Sequence, residues 1–271
     1  MITGTSMGAI IGAMYAQNPD AAAVIDRFRS YLKNADYEVL GLENIVPSDE
    51  DPLPMLQRFA RTIAKRIHMS SMGSRPSLLK PDILNNAIRY LLDDRSIEDT
   101  AIPFGAVATD LNSGESLLVR KGSIRRAVRW SALIPAFLPP EKHEGRLIAD
   151  GAVTTPVPVD FTRAMGADVV VAVSVDPTVM ASLEDQSIIS IMQRCDLIRG
   201  IAMSRMQLEK ADAVIHPDVA DSHWSRFLEF ERFVSAGVTE ASSLAPRIRL
   251  ILEKRARWLP RAFGMLRRGG N

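Results

Sequence analysis

The pentapeptide Gly4-Thr5-Ser6-Met7-Gly8 constrains this chain more than any other segment, because it must carry the backbone from an extended entry into an apolar helix within a few residues. Glycines on either side of a serine tolerate dihedrals closed to other residues and leave room for a crowded turn, so the serine hydroxyl is lifted clear of the backbone. Ile2-Thr3 supplies a short extended entry. The helix expected from Met7 to about Tyr15 carries Gly8, Ala9, Gly12 and Ala13, small enough to lie close against a sheet. Its N-terminus favours negative charge. Ser6 is therefore a candidate nucleophile, Gly4 and Gly8 shape its turn, and the backbone N–H of Met7 is a candidate oxyanion donor. A phosphate-binding loop would need a Lys-Ser or Lys-Thr that is absent here, so nucleotide binding is not supported.

The remainder alternates strand-like and helix-like stretches, which points to an α/β fold with a mostly parallel central sheet and helices on both faces. Phe104 to Thr109 and Ala167 to Val175 read as buried strands, the second through the run Val169-Val170-Val171-Ala172-Val173 expected where both faces are covered. Between them fall a hairpin arm near Ser116 to Val119, a helix from about Ser123 to Ala132 ended by Pro135, and a short strand leading to Asp150. Gly166 reads as the C-cap of a preceding helix. Residues 183 to 210 form a long helical pattern in which Ile188, Met192, Cys195, Ile198, Ala202 and Met206 recur at spacings of three and four, so Cys195 is expected in the core.

A second chemical signal is Leu147-Ile148-Ala149-Asp150-Gly151-Ala152, an apolar strand ending in an aspartate followed by two small residues. Asp-Gly is also a common turn, so the residues alone leave Asp150 equally a structural aspartate. Taken with Ser6, and with Ala108-Thr109-Asp110-Leu111, Ala127-Val128-Arg129-Trp130-Ser131-Ala132-Leu133-Ile134-Pro135-Ala136 and Ala211-Asp212-Ala213-Val214-Ile215-His216-Pro217-Asp218 in order, this segment resembles the patatin-like phospholipases, specifically the bacterial group related to neuropathy target esterase. The resemblance runs from residue 1 to about 245. It implies a three-layer α/β/α sandwich in which Ser6 is the nucleophile and Asp150, in its Asp150-Gly151-Ala152 motif, accepts the serine proton. It also implies hydrolysis of phospholipid or lysophospholipid esters with no metal or other cofactor. On this reading residues 1–245 form the hydrolase domain, with 53–100 as a helical cap-like insertion and 246–271 as a basic C-terminal helix and tail.

One departure stands against the match. Family members begin with a strand ending in a glycine-rich loop, G-G-G-x-[KR]-G, whose N–H groups make much of the oxyanion hole, and no such loop occurs in this sequence. Losing one well-placed donor costs ~10²–10³ in turnover. Either Met1 is an internal methionine mistaken for a start, the favoured reading, or the chain is a truncated paralogue that holds lipid without turning it over.

Composition narrows the alternatives. With 46% hydrophobic and 24% charged residues in 271, one large domain is expected, and a formal net charge of +1 gives no field for nucleic acid. No apolar run reaches the ~18 residues of a membrane span, and a cytoplasmic protein is expected. Two basic stretches leave membrane-surface contact open beside plain packing or solvation: Leu53 to His68, with Met55, Phe59, Ile63 and Ile67 on one face and Arg58, Arg61, Lys65 and Arg66 on others, and the tail from Lys254. A Ser-His-Asp arrangement would draw its base from His216 or His223, since the base follows the acid in the α/β-hydrolase order; His143 reads as solvated in a charged turn and His68 ends a basic helix. Asp110, Asn112 and Glu115 cluster around turn chemistry rather than a metal site.

Overall fold

The computed structural model describes residues 1–34, 81–177, 180, 182–183, 186, 188–219 and 229–266. Ile2–Thr5 form β1, which pairs in parallel with β2, Phe104–Asp110, in the register Ile2↔Phe104 through Thr5↔Val107. Alternation along β1 sends its side chains to two faces. Ile2 and Gly4 meet α1, Met7–Gln17, where a Cβ on Gly4 would stand 2.3 Å from the Gly8 carbonyl oxygen and only glycine fits. Thr3 and Thr5 point the other way. Thr3 Oγ1 bonds the Pro158 carbonyl at 3.3 Å and the Thr162 hydroxyl, while Thr5 Oγ1 donates to the Thr155 carbonyl at 2.9 Å.

The α1 face holds the main core. Ala9, Ile10, Ala13 and Met14 pack with Phe104 and Ala106 of β2, with Phe28 and Leu32 of α2 (Ala21–Asn34), with Ile88 and Leu91 of α3 (Pro81–Leu91), and with Ile124, Ala127 and Val128 of α4 (Ile124–Ser131). Each fully buried large side chain there contributes roughly 1.5–3 kcal/mol. Caps set the helix starts: Asp20 Oδ1 accepts the Ala22 and Ala23 N–H groups ahead of α2, and the Ser123 hydroxyl accepts the Arg126 N–H ahead of α4.

β2 is buried along its whole length and carries three partners. β3, Ser116–Val119, pairs antiparallel with residues 106–109 of β2, and so fills one edge. The other edge is shared: β1 lies along 104–107 and β5, Arg146–Asp150, lies antiparallel along 108–110. β1 and β5 run toward each other and both end at the middle of β2. β4, Glu141–His143, flanks β5. The described pairing is thus mixed rather than mostly parallel, because the segments after β2 return as short hairpin-like arms instead of crossing over through helices.

A separate parallel pair follows α5, Val159–Ala164: β6, Val171–Val173, beside β7, Ala213–Ile215. Gly166 caps the turn after α5 at φ 104, as the sequence suggests. The valine run is not covered on both faces. Val170 and Ala172 pack with Val157 and Val159, whereas Val173 is 58% exposed. α6, Ile188–Leu208, corrects a second expectation: Ile188, Met192, Cys195, Ile198, Ala202 and Met206 all lie on its exposed face, and Cys195 is not core. Apolar residues surround this helix, so its period could not choose a side. It docks through Ile201, Ser204 and Gln207, whose side-chain amide accepts the Val157 N–H at 2.8 Å.

Finally, α7 spans Phe230–Leu266; Phe230 stacks on Phe28 at 5.4 Å and Glu231 pairs with Arg29 at 2.6 Å. Among the described residues no helix is long and apolar enough to cross a membrane. The basic stretch 53–68, His68 and His223 lie outside the described residues, as do 267–271 of the tail.

Candidate active site

Ser6 occupies the junction between β1 and α1 with φ 53 and ψ −122, a conformation that costs a non-glycine residue about 1–3 kcal/mol. It sits at the N-cap position of α1, yet its hydroxyl makes no capping bond. The usual occupation of a serine there is therefore set aside and the Oγ stays available. The backbone is held on both sides: the Ser6 carbonyl accepts the Ala9 and Ile10 N–H groups at 2.9 and 3.2 Å, and the Ser6 N–H donates to Ser131 Oγ at 2.9 Å. Met7, 42% exposed, heads the first turn of α1, whose N–H donors have no acceptor inside a helix.

Asp150 arrives from the opposite direction along the same edge of β2. Thr5 pairs with Val107 and Asp150 with Ala108, so neighbouring rungs of one ladder bring the serine turn and the aspartate together. The chain then leaves through Gly151, where a Cβ would lie 2.2 Å from the Val107 carbonyl oxygen and 3.1 Å from the Thr5 methyl group. Gly151–Val153 form one 3₁₀ turn, closed by the Thr154 N–H on the Gly151 carbonyl at 3.2 Å, and the Thr155 N–H donates to the same oxygen at 2.7 Å. Hydroxyls of Thr109, Ser116, Thr154 and Thr155 form a linked set at 2.8–2.9 Å that holds the exit.

The Asp150 carboxyl is only 3% exposed. Oδ1 accepts the Ala152 N–H at 2.8 Å, and among the described residues Oδ2 is buried with no hydrogen-bond partner. Burial pushes this carboxyl up from 3.8 to about 6, against the smaller opposing pull of the Ser6 hydroxyl and the Ala152 N–H. The Ser6 hydroxyl is thus close enough to ease the charge on Asp150 without completing a hydrogen bond of ordinary geometry to Oδ2. A buried carboxylate oxygen with no partner can take up a proton that a neighbouring hydroxyl gives up.

The other candidates fall elsewhere. His143 in β4 packs its ring at a tilt against Trp130, centroids 4.6 Å apart, with Nε2 3.7 Å from Glu144, and His216 follows β7 in the separate pair. Among the described residues no imidazole acts on Asp150. Asp110 accepts from the Leu147 and Asn112 N–H groups and the Ser113 hydroxyl; the Leu147 bond leads in holding its carboxyl low, and the residue is a turn fastener. Asp212 fastens the β6–β7 pair through the Val170 N–H and Arg163. Among the described residues no three His, Cys, Asp or Glu side chains gather as a metal would need. Ser131 is the residue whose part in the site the sequence left undecided: beside Pro135 it reads equally as an active-site neighbour or as capping and packing, and only the folded chain puts it against Ser6.

A family model described as Patatin-like phospholipase matches residues 1–162, more than half of the chain. The chain belongs to the patatin-like phospholipase family. An uncharacterized NTE family protein of Mycobacterium tuberculosis is 30% identical over 175 residues, covering 65% of this chain and 40% of the relative. Patatin-like phospholipase domain-containing protein 6 of Homo sapiens is 28% identical over 177 residues, covering 65% of this chain and 11% of the relative. The chain thus spans less than half the length of the curated relatives it matches. Among solved structures, VipD from Legionella pneumophila aligns over 89% of this chain and 60% of its own, with 16% identity and a TM-score of 0.39.

Proposed function

We propose that this protein is a serine acyl-ester hydrolase of the phospholipase or lysophospholipase type, built on the α/β/α sandwich of its family and working through a Ser6–Asp150 dyad. The observation that carries the reading is the buried Asp150 Oδ2, unpartnered beside a serine hydroxyl that caps nothing. Ser6 Oγ attacks the acyl carbonyl carbon and its proton passes to Asp150. The tetrahedral oxyanion forms at the head of α1, where the Met7 N–H and the helix dipole favour negative charge. The bond to the leaving alcohol breaks as Asp150 returns the proton to that oxygen. Water then attacks the acyl-serine, giving its proton to Asp150, and the carboxylic acid leaves as the proton returns to Ser6 Oγ. A carboxyl near 6 supports this role, since it is ionised at neutral pH yet accepts a proton more readily than one at 3.8.

Hydrolysis of a short-chain p-nitrophenyl ester and of lysophosphatidylcholine by the full chain tests the assignment. Turnover is expected to rise with pH through about 6 and level off above it, because the ionised form of Asp150 is the working base. Ser6→Ala and Asp150→Ala are each expected to remove it by 10³-fold or more. His143→Ala and His216→Ala are expected to leave it within a few-fold. Loss on substituting either histidine would overturn the dyad, and lipid binding without turnover would instead support a lipid-holding module.

A further inference from the structure

The last residue of α4 and the two that follow it touch both halves of the dyad. Ser131 Oγ accepts the Ser6 N–H at 2.9 Å, and two residues on, the Leu133 carbonyl accepts the Asp150 N–H at 3.0 Å. Ser131 is fully buried and Leu133 is 4% exposed, so neither bond competes with water. The neighbouring residues anchor this segment firmly. The Trp130 indole N–H donates to Glu141 Oε1 at 2.9 Å, Arg129 pairs with the other oxygen of the same carboxylate, and the Arg126 guanidinium lies 5.3 Å over the Trp130 ring. Burial pushes the Glu141 carboxyl up, but Arg129 and Trp130 outweigh it and keep the group ionised and fixed.

We propose that Ser131 is a positioning residue of the hydrolytic site, and that Ser131-Ala132-Leu133 forms a bridge setting the distance between nucleophile and base. The inference rests on the dyad reading and deepens it. The Ser6 N–H has no place in either the β1 ladder or the α1 helix, because the residue sits at φ 53 between them. Ser131 Oγ is the acceptor that makes this strained turn the preferred one. Without it the N–H turns to seek another acceptor, the elbow relaxes, and Ser6 Oγ swings away from Asp150. A displacement of about 1 Å at reacting atoms costs up to about 10²-fold in rate. Substrate binding needs no such precision, so the loss falls on kcat.

The test compares Ser131→Ala and Ser131→Thr with the unsubstituted chain, using the p-nitrophenyl ester, the rate of covalent labelling by a fluorophosphonate, and near-ultraviolet circular dichroism for folding. Ser131→Ala is expected to lower kcat and labelling rate together by about 10–100-fold with KM within about twofold. Its pH midpoint should stay near 6, because Ser131 does not contact the carboxyl. Ser131→Thr, which keeps the hydroxyl, is expected to recover most of the rate. A folded Ser131→Ala protein that turns over within twofold of the unsubstituted one, or a threonine variant as impaired as the alanine one, would overturn the inference. Should the alanine variant not fold, Ser131→Cys takes its place with the same outcomes, its thiol being a weak acceptor. An unsubstituted chain that neither hydrolyses the ester nor takes the label removes the hydrolase reading instead. Amide hydrogen exchange then decides on Ser131 alone: the Ser6 N–H should exchange at least tenfold faster in Ser131→Ala while Ala9 and Ile10 are unchanged, and unchanged exchange at Ser6 sinks the proposal.

Discussion

Replacing Asp150 with asparagine should make the protein more stable while it abolishes turnover, and the size of the gain follows from the burial of the carboxyl. Raising the group from 3.8 to about 6 corresponds to about 3 kcal/mol borne by the folded state when the carboxyl is ionised. Below 3.8 both folded and unfolded chains hold the proton and nothing is lost. Between 3.8 and about 6 only the folded chain holds it, so stability declines as pH rises; above about 6 the whole penalty is present. Asparagine carries no charge at any of these values, and its Oδ1 can still accept the Ala152 N–H. Its amide NH₂ would stand where Oδ2 does, with only the Ser6 hydroxyl to meet, which offsets part of the gain. The expected net effect at pH 7.5 is about 1–3 kcal/mol in favour of Asp150→Asn, or a rise of roughly 2–10 °C in Tm. Urea unfolding followed by circular dichroism at pH 7.5 and pH 4 measures it, with ester hydrolysis assayed on the same samples. The gain should shrink to a small fraction at pH 4. A variant no more stable at pH 7.5, or equally stabilised at both values, would refute the claim that burial of charge dominates this site.

Two further substitutions probe the backbone on either side of the dyad. Gly151→Ala places a Cβ 2.2 Å from the Val107 carbonyl oxygen, so it should cost about 2 kcal/mol or more and lower Tm by several degrees in a thermal melt; an unchanged melt would mean the turn has room that the geometry denies. Ser6→Gly relieves the strain at φ 53 and should be about 1 kcal/mol more stable than Ser6→Ala, although both lack the nucleophile; equal stability in urea would show that the elbow is unstrained.

The parts of this molecule that are written locally were legible in the sequence. The Ser6 turn, the Ser123-capped helix and the Gly166 cap each depend on residues adjacent in the chain, and each is found where composition and spacing place it. What the sequence could not specify is choice among equal local options. α6 carries apolar residues around its circumference, so the stripe through Cys195 looked like a core face until Ile201, Ser204 and Gln207 were seen to dock. The valine run before Val173 has the composition of a doubly covered strand, but among the described residues Val170 and Ala172 join a packed cluster while Val171 and Val173 are exposed. The direction of β5 was likewise hidden, because it returns antiparallel to β2 without any residue that announces it, whereas the β3 arm was legible as a hairpin. The role of Ser131 stayed undecided for a related reason: its partner is a backbone N–H more than a hundred positions away.

Because Thr5, the residue before Ser6, and Asp150 stand on adjacent rungs of β2, the arrangement of this site has no intermediate degree of integrity. Should thermal opening peel β1 from Val107 or β5 from Ala108, the serine and the carboxylate part company at once, even while every helix is still wound. Esterase activity during a melt therefore reports the zipping of that one central strand, and it is expected to vanish ahead of the helical signal.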